Sequence, residues 1–173
     1  IRGHIKDHDF HTKHKVLVKL ASELYAGENF FGFSATHVYE KVLEVVKQQK
    51  QLVIVLDEID KVKDVDELVY MLVRSNDELA SSGINIVGIS NSLMFKDKLD
   101  ARTKSSLCQQ EVVFPPYNAD ELKAILAERA KLAFKENSVE QSAIELSAAI
   151  AARESGDARK AVMLLMRAGE IAD

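Results

Sequence analysis

Two adjacent carboxylates, Asp57 and Glu58, directly follow a run of five apolar residues at 52–56. Three of the five are β-branched, which favours a strand buried on both faces of a parallel sheet. Ligands of open α/β sheets bind at the carboxyl ends of the strands. One carboxylate there can hold Mg²⁺, and its neighbour can orient or deprotonate a water that attacks a phosphate. The alternative is a buried strand that ends in a solvated acidic turn.

Three further polar side chains stand where they can join such a site. Asn91 follows a second apolar run at 84–89, so neighbouring parallel strands would bring it beside Asp57, within reach of a γ-phosphate or the attacking water. Arg102 lies in the segment 99–107 and can reach a phosphate of an adjacent subunit. Arg159 opens the last predicted helix, where the helix dipole favours acids. An exposed arginine without a role is the alternative for Arg159.

The chain divides at Pro115-Pro116 into an α/β part and a helical part. Before the prolines, helical spacing of apolar residues alternates with short apolar runs, which predicts a parallel sheet flanked by helices. The predicted helices are 16–25, 35–47 and 66–80, the last ended by Gly83, and the predicted strands are 52–56, 84–89 and 111–114.

After the prolines only helical patterns occur. Asn118 is placed to cap a helix over 119–134, Gly156 breaks a second helix over about 139–153, and Asp157 is placed to cap a third that runs to about 172. The predicted domains are therefore a partial α/β core over 1–116 and a small all-helical domain over 117–173.

Composition excludes several classes of protein. The chain has 173 residues, 47% of them hydrophobic, and no apolar run of membrane-spanning length, so no membrane partner is expected. Its single cysteine, Cys108, excludes an intramolecular disulfide and fits a reducing compartment. The net charge of −4 argues against nonspecific nucleic-acid binding by the chain as a whole. Residues 1–20, however, hold five basic and two acidic residues, a local charge of +3.

Histidines are concentrated in the same basic segment. His8, His11 and His14 are spaced by three, which can bring them near one helical face for Zn²⁺. Acidic residues interrupt the series and the helix start signal comes only near Thr12. The alternative is a solvated basic segment.

Five blocks of sequence, taken together, resemble the AAA+ module of the archaeal origin-recognition and cell-division-control initiators of DNA replication. The first has the form of a Walker B motif, and the second and third lie between it and the prolines. The blocks are VIVLDEIDK at 53–61, IVGISN at 86–91, LDARTKSSL at 99–107, VFPPYNADEL at 113–122 and GDARKA at 156–161.

The resemblance implies a role for each matching residue. Asp57 would coordinate Mg²⁺ and Glu58 would polarise the hydrolytic water. Asn91 matches sensor 1, which contacts nucleotide. Arg102 matches the arginine finger that acts on the nucleotide of a neighbouring initiator subunit. Arg159 matches sensor 2, which contacts nucleotide from the helical lid.

The resemblance also implies ligands and partners. ATP or ADP with Mg²⁺ would be the cofactors, and origin double-stranded DNA and the replicative helicase the partners, in the cytoplasm at the nucleoid. The DNA-contacting helix of the family corresponds here to residues 12–24, with Lys13, Lys15 and Lys19 as the candidate contacts.

The sequence lacks three features of the family pattern. No GxxxxGK[ST] loop occurs, so the cradle for the phosphates is missing, and the strand before it and the family's winged helix are missing too. We therefore expect a fragment of a longer parent protein, inactive as an ATPase by itself. The parent would be an ATP-dependent replication initiator. The alternatives are another AAA+ ATPase, such as a clamp-loader-like subunit, and a nucleotide-independent protein-interaction module.

Overall fold

The computed structural model describes residues 12–49, 51–79, 81–107 and 110–172. The chain forms two compact units, Ile1–Gln109 and Gln110–Asp173. The separation lies upstream of the predicted boundary at Pro115-Pro116. Pro116 packs against the helical unit, because its Cβ lies 2.7 Å from where a Cβ at Gly156 would be, and the Tyr117 N–H beside it donates a hydrogen bond of 3.0 Å to the Gly156 carbonyl.

The first unit is built from helices and two short strands. Its elements in chain order are α1 (Lys13–Leu24), α2 (Ala35–Gln48), β1 (Gln51–Leu56), α3 (Val65–Arg74), β2 (Gly83–Gly88) and α4 (Ala101–Ser106). Side chains from α1, α2, α3 and both strands share one apolar core. Thr12 and Ser34 begin the first two helices as N-caps, because their hydroxyls accept backbone N–H groups of the first turn.

Among the described residues, β1 and β2 form a two-stranded parallel sheet, in register from Gln51 opposite Gly83 to Leu56 opposite Gly88. The prediction of adjacent parallel strands is confirmed. Burial on both faces is wrong for β1. Leu52, Ile54 and Leu56 are buried, whereas Val53 on the opposite face is 44% exposed, since the unit's helices pack on one side.

Helix α3 is shorter than predicted. It ends at Arg74 and passes into a 3-10 turn at Ser75–Asp77, whereas the pattern predicted a helix to residue 80. The Asn76 side chain causes the early end. Its Nδ2 donates to the Ile84 carbonyl at 2.9 Å and its Oδ1 accepts the Ile84 N–H at 2.7 Å, which draws the chain towards the start of β2.

The predicted third strand is also wrong for the part of the chain that the structure describes. Residues 111–114 take no strand assignment, and Val112, Val113 and Phe114 are 66%, 59% and 87% exposed. A strand needs a neighbour for its backbone groups. Residues 111–114 therefore have the apolar composition of a strand but lack a neighbouring strand to pair with among the described residues.

The second unit contains three helices within its described residues, α5 (Ala119–Ala133), α6 (Gln141–Glu154) and α7 (Ala158–Ala172). The predicted caps are confirmed. Asn118 and Glu121 form a reciprocal capping box at the start of α5, and Asp157 accepts the Arg159 N–H at the start of α7. The buried residues of this unit form a core of their own, centred on Leu122, Leu126 and Leu165.

Gly156 makes the turn between α6 and α7. Its φ is +62°, in the left-handed region, and its N–H donates to the Ala151 carbonyl at 2.9 Å. A Cβ at this position would lie 2.7 Å from both the Pro116 Cβ and the Tyr117 carbonyl oxygen. Two independent constraints therefore require glycine here.

We predict that Gly156→Ala destabilises the helical unit more than Gly27→Ala destabilises the first. Both positions have positive φ, at +62° and +92°, but nothing lies within 4 Å of a Cβ at Gly27. The left-handed conformation alone costs about 1–2 kcal/mol, and overpacking adds about 1–3 kcal/mol at Gly156. Urea unfolding measures both, and equal losses would show that the close approach to Pro116 relaxes freely.

Candidate functional site

The polar site begins where the backbone ladder between β1 and β2 continues beyond the strands. The Ile89 N–H donates to the Leu56 carbonyl at 2.9 Å, and the Ile59 N–H donates to the Ile89 carbonyl at 3.1 Å. These two bonds hold Asp57 and Glu58 beside the residue that follows β2. The carboxyl ends of the two strands therefore lie together at one edge of the sheet, as the sequence predicts.

Glu58 has an unusual backbone conformation at this edge. Its φ and ψ are 54° and 38°, the left-handed helical region that few residues other than glycine adopt. Its N–H donates to the Asp57 Oδ1 at 3.0 Å, and Ile59 beyond it is buried at 3% exposure. Conformations of this kind cost about 1–3 kcal/mol and cluster at functional sites, where the surrounding structure enforces them.

The Glu58 carboxylate forms an ion pair with Lys61 at 2.7 Å. The two side chains retain 38% and 49% exposure, so solvent screens the pair and little free energy is lost when it opens. The carboxylate can therefore exchange Lys61 for another partner, such as a water molecule, without a large penalty.

The loop after β2 is tied to the segment after β1 by residues that the sequence patterns did not single out. The Ser90 hydroxyl donates to the Asp60 Oδ1 at 2.8 Å and accepts the Ser92 N–H at 3.0 Å. Asn91, between the two serines, is exposed. A serine directly after an apolar run was the available signal for this contact, but its partner is thirty residues away in the sequence.

Arg102 lies in the first turn of α4, and its side chain is exposed. Asp100 caps this helix, because its Oδ1 accepts the Thr103 N–H at 2.6 Å. The same backbone N–H holds the pKa of Asp100 below its usual value. Asp66 of α3 accepts the Asp100 N–H at 2.8 Å, and Thr103 is buried, so α4 is fixed against α3.

Arg159 belongs to the helical unit. It lies in the first turn of α7, its N–H donates to Asp157 Oδ1 at 2.7 Å, and its side chain is exposed. The N-cap carboxylate beside it offsets the unfavourable placement of a cation at a helix N-terminus. The predicted position of Arg159 in the first turn of a helix capped by Asp157 is confirmed, and its role stays a prediction.

The three candidate DNA-contact lysines have different surroundings on α1. Lys13 forms an ion pair with Glu67 of α3, and its side chain is 21% exposed. Lys19 pairs with Glu23 one turn later at 3.4 Å. Lys15 is exposed. Lys13 is therefore the lysine most engaged within the unit, the exposed pair of Lys19 can open at little cost, and Lys15 is best placed for an external anion.

Part of the basic segment lies outside the described residues. His8 and His11 of the predicted Zn²⁺ set are there, and the structure describes only His14 of the three. The His14 Nε2 lies 2.8 Å from the Phe33 carbonyl oxygen. Within the described ranges, no group of three or more His, Cys, Asp or Glu side chains is arranged to hold a metal ion.

A model of the Cdc6 AAA+ ATPase-type lid domain matches residues 123–173. The ORC1-type DNA replication protein 1 of Archaeoglobus fulgidus is 49% identical over 164 residues, covering 94% of this chain and 40% of that protein. The chain belongs to the archaeal family of ORC1- and Cdc6-type replication proteins. The family resemblance predicted from the five sequence blocks is thereby confirmed.

Solved structures of the family share the fold. The ORC1 protein of Aeropyrum pernix, solved in complex with DNA, matches 99% of this chain at a TM-score of 0.82 and 39% identity, over 44% of its own length. The ADP form of the ORC2 protein of Aeropyrum pernix matches 99% of the chain at a TM-score of 0.80 and 18% identity, over 48% of its own length. This chain thus spans less than half the length of each of these proteins.

No helix in the described residues is both long and apolar enough to cross a membrane.

We predict that the Asp100 cap weakens at low pH. Because the pKa of Asp100 in the folded state lies below its usual value, the carboxylate contributes stability above that usual value and loses it as pH falls through the folded-state pKa. Asp100→Asn keeps a capping oxygen but has no charge to titrate. Urea unfolding from pH 7 down to pH 2 should show the difference in stability between the two proteins shrinking at the acid end. A constant difference would contradict the assignment.

Proposed function

We propose that this chain is the AAA+ part of an archaeal DNA replication initiator. The parent protein would bind ATP with Mg²⁺, bind origin double-stranded DNA, and help to load the replicative helicase. The observation that carries this proposal is the paired strand edge of Asp57, Glu58 and Asn91 in a chain of the ORC1- and Cdc6-type family. Parallel strands present their carboxyl ends, and hence these polar groups, to one ligand.

The donor chemistry at the strand edge suits a magnesium nucleotide. Asp57 is half-buried and its carboxylate oxygen is the hard ligand that Mg²⁺ prefers, directly or through water. Bound Mg²⁺ would neutralise charge on the phosphates. Asp57 would therefore hold the cation. Part of its carboxylate is engaged by the Glu58 N–H, which fixes its orientation relative to the neighbouring side chain.

Glu58 would orient the hydrolytic water. Its backbone is left-handed, and its pair with Lys61 is exposed, so the carboxylate can exchange Lys61 for a water molecule. A carboxylate within hydrogen-bond reach of a water can accept its proton as the water attacks phosphorus. Asn91, on the loop that Ser90 anchors to Asp60, would hydrogen-bond the γ-phosphate or the same water.

The two arginines would act on the phosphates of different nucleotides. Arg102, exposed on the anchored helix α4, would serve as the finger for a neighbouring initiator subunit. Arg159 would contact the nucleotide held by its own chain, as the lid does in the family resemblance. Guanidinium groups suit this task because they are always charged and bind phosphate through two parallel hydrogen bonds. The phosphate-cradling loop would come from the parent protein, since this sequence has no GxxxxGK[ST].

The DNA-binding part of the proposal is supported by the ORC1 protein of Aeropyrum pernix solved in complex with DNA, and by the basic character of residues 1–20. Exposed lysines on a helix attract phosphates without reading sequence. Helix α1 would contribute mainly through Lys15 and, when its exposed pair with Glu23 opens, through Lys19, whereas Lys13 is less exposed and pairs with Glu67.

The first test replaces Glu58 in the parent protein. Glu58→Gln keeps the shape of the side chain and removes its charge, so ATP should still bind while hydrolysis falls by about 10²–10⁴-fold, the usual contribution of an acid–base group. Glu40→Gln, an exposed glutamate on α2, is the matched control and should hydrolyse normally. Single-turnover phosphate release gives the rate. An unchanged rate in Glu58→Gln would remove Glu58 from the reaction.

The second test separates a DNA contact from a structural lysine. Lys15→Ala should weaken binding to duplexes of any sequence and lower the slope of log K against log salt by about 0.9, the value for one phosphate contact. Lys47→Ala, an exposed lysine at the end of α2, should change neither. Lys13→Ala should instead lower stability by no more than about 1 kcal/mol, because the Glu67 carboxylate that it leaves behind is solvated. Titration at several salt concentrations decides, and equal slopes for the Lys15 and Lys47 variants would return α1 to a purely structural role.

A further inference from the structure

One face of helix α3 is turned towards helix α4. Asp66, Tyr70 and Arg74 are spaced by four residues, which aligns them along one side of the helix. Asp66 accepts the backbone N–H of Asp100, the N-cap of α4, at 2.8 Å. This hydrogen bond joins the start of the face to the residue that precedes α4, the helix that carries Arg102 in its first turn.

The next residue of that face contacts Arg102 itself. The Arg102 guanidinium carbon lies 5.7 Å from the centroid of the Tyr70 ring, which is the range of a cation–π interaction. Tyr70 is half-buried, whereas Arg102 is exposed. The ring is therefore the better ordered partner, and the arginine is the side chain whose freedom the contact restricts.

The ring is held from its other end by Arg74. The Arg74 Nη1 donates to the Tyr70 hydroxyl at 3.0 Å, and its guanidinium carbon lies 5.9 Å from the ring centroid. Arg74 also pairs with Asp77 at 3.6 Å. Asp77 thus partly offsets the second positive charge near the ring, which would otherwise repel Arg102.

A long exposed arginine loses side-chain entropy when it is fixed in one orientation, and that loss opposes its use as a finger. A restraint present before the neighbouring subunit arrives reduces the loss at the moment of contact. The backbone of α4 is fixed by Asp66 and by the buried Thr103. Those contacts fix the position of the Arg102 backbone, and the Tyr70 ring restricts the orientation of its side chain.

We propose that Tyr70 is a positioning residue that orients Arg102 towards the nucleotide of a neighbouring subunit. This inference rests on the proposed trans role of Arg102 and adds the residue on which that role depends. In the described chain Tyr70 contacts Arg102 and Arg74. It acts only through Arg102, so its removal should slow hydrolysis in the neighbouring subunit's site and leave ATP binding by its own chain unaffected.

The first experiment compares Tyr70→Leu with Tyr70→Phe in the parent protein. Phenylalanine keeps the ring under Arg102 and loses only the hydroxyl that Arg74 contacts. An exposed cation–π contact changes a population by about two- to fivefold. Tyr70→Leu should therefore lower kcat by about that factor with KM for ATP unchanged, and Tyr70→Phe should restore kcat. A normal or raised kcat in Tyr70→Leu would overturn the inference.

A second measurement reads the contact without using hydrolysis. The Nε–Hε signal of Arg102, identified by its loss in Arg102→Ala, should be shifted upfield by the aromatic ring. The shift should persist in Tyr70→Phe and vanish in Tyr70→Leu. If the chemical shift of the Arg102 signal is the same in both variants as in the unsubstituted protein, the ring does not hold the guanidinium in solution, and the inference is overturned.

Mixed assemblies separate this inference from the function on which it rests. A Tyr70→Leu site that meets a Glu58→Gln neighbour receives an intact Arg102, so its rate should return towards normal. Failure to recover, where mixed assemblies demonstrably form, would assign Tyr70 to its own chain's site. An unchanged rate in Arg102→Ala would overturn the trans role itself. A slow Arg102→Ala beside a normal Tyr70→Leu would overturn only the positioning by Tyr70.

Discussion

Parallel pairing of β1 with β2 fixes where the polar groups of the candidate site stand. The register that sets Leu56 opposite Gly88 continues through the backbone bonds of Ile89, so the residues after both strands are held side by side. A shift of one residue would turn each side chain to the other face of the sheet. Buried Leu52 and Ile54 oppose such a shift, because it would expose them.

The core of the first unit stabilises the sheet from one side. Val38, Val42 and Val46 of α2 are fully buried at a spacing of four residues, and burial of each such side chain contributes about 1.5–3 kcal/mol.

The same packing explains why the polar residues at the strand edge can carry strain. Ile59 is buried directly after Glu58, so its burial holds the left-handed turn that the glutamate would not adopt by itself.

Two of the residues assigned a chemical role depart from local preferences, although Ala26 and Asn137 also have positive φ without such a role. Glu58 adopts a conformation that favours glycine, and Arg159 places a cation in the first turn of a helix. In each case a neighbouring carboxylate, Asp57 or Asp157, accepts a backbone N–H of that residue. A residue that is locally unfavourable but stabilised by a neighbouring contact is expected where the sequence serves function as well as folding.

The sequence by itself determined the helices of the second unit, the caps at Asn118 and Asp157, and the polar residues that end each strand, because these features depend on neighbours a few residues away. Only the tertiary structure decided the early end of α3 at Asn76, the absence of pairing at 111–114 in the described chain, and the contact of Tyr70 with Arg102. Those outcomes depend on which distant segments pack together. The spacing of residues along the chain indicates which secondary structure they favour, whereas the fold determines which distant residues they contact.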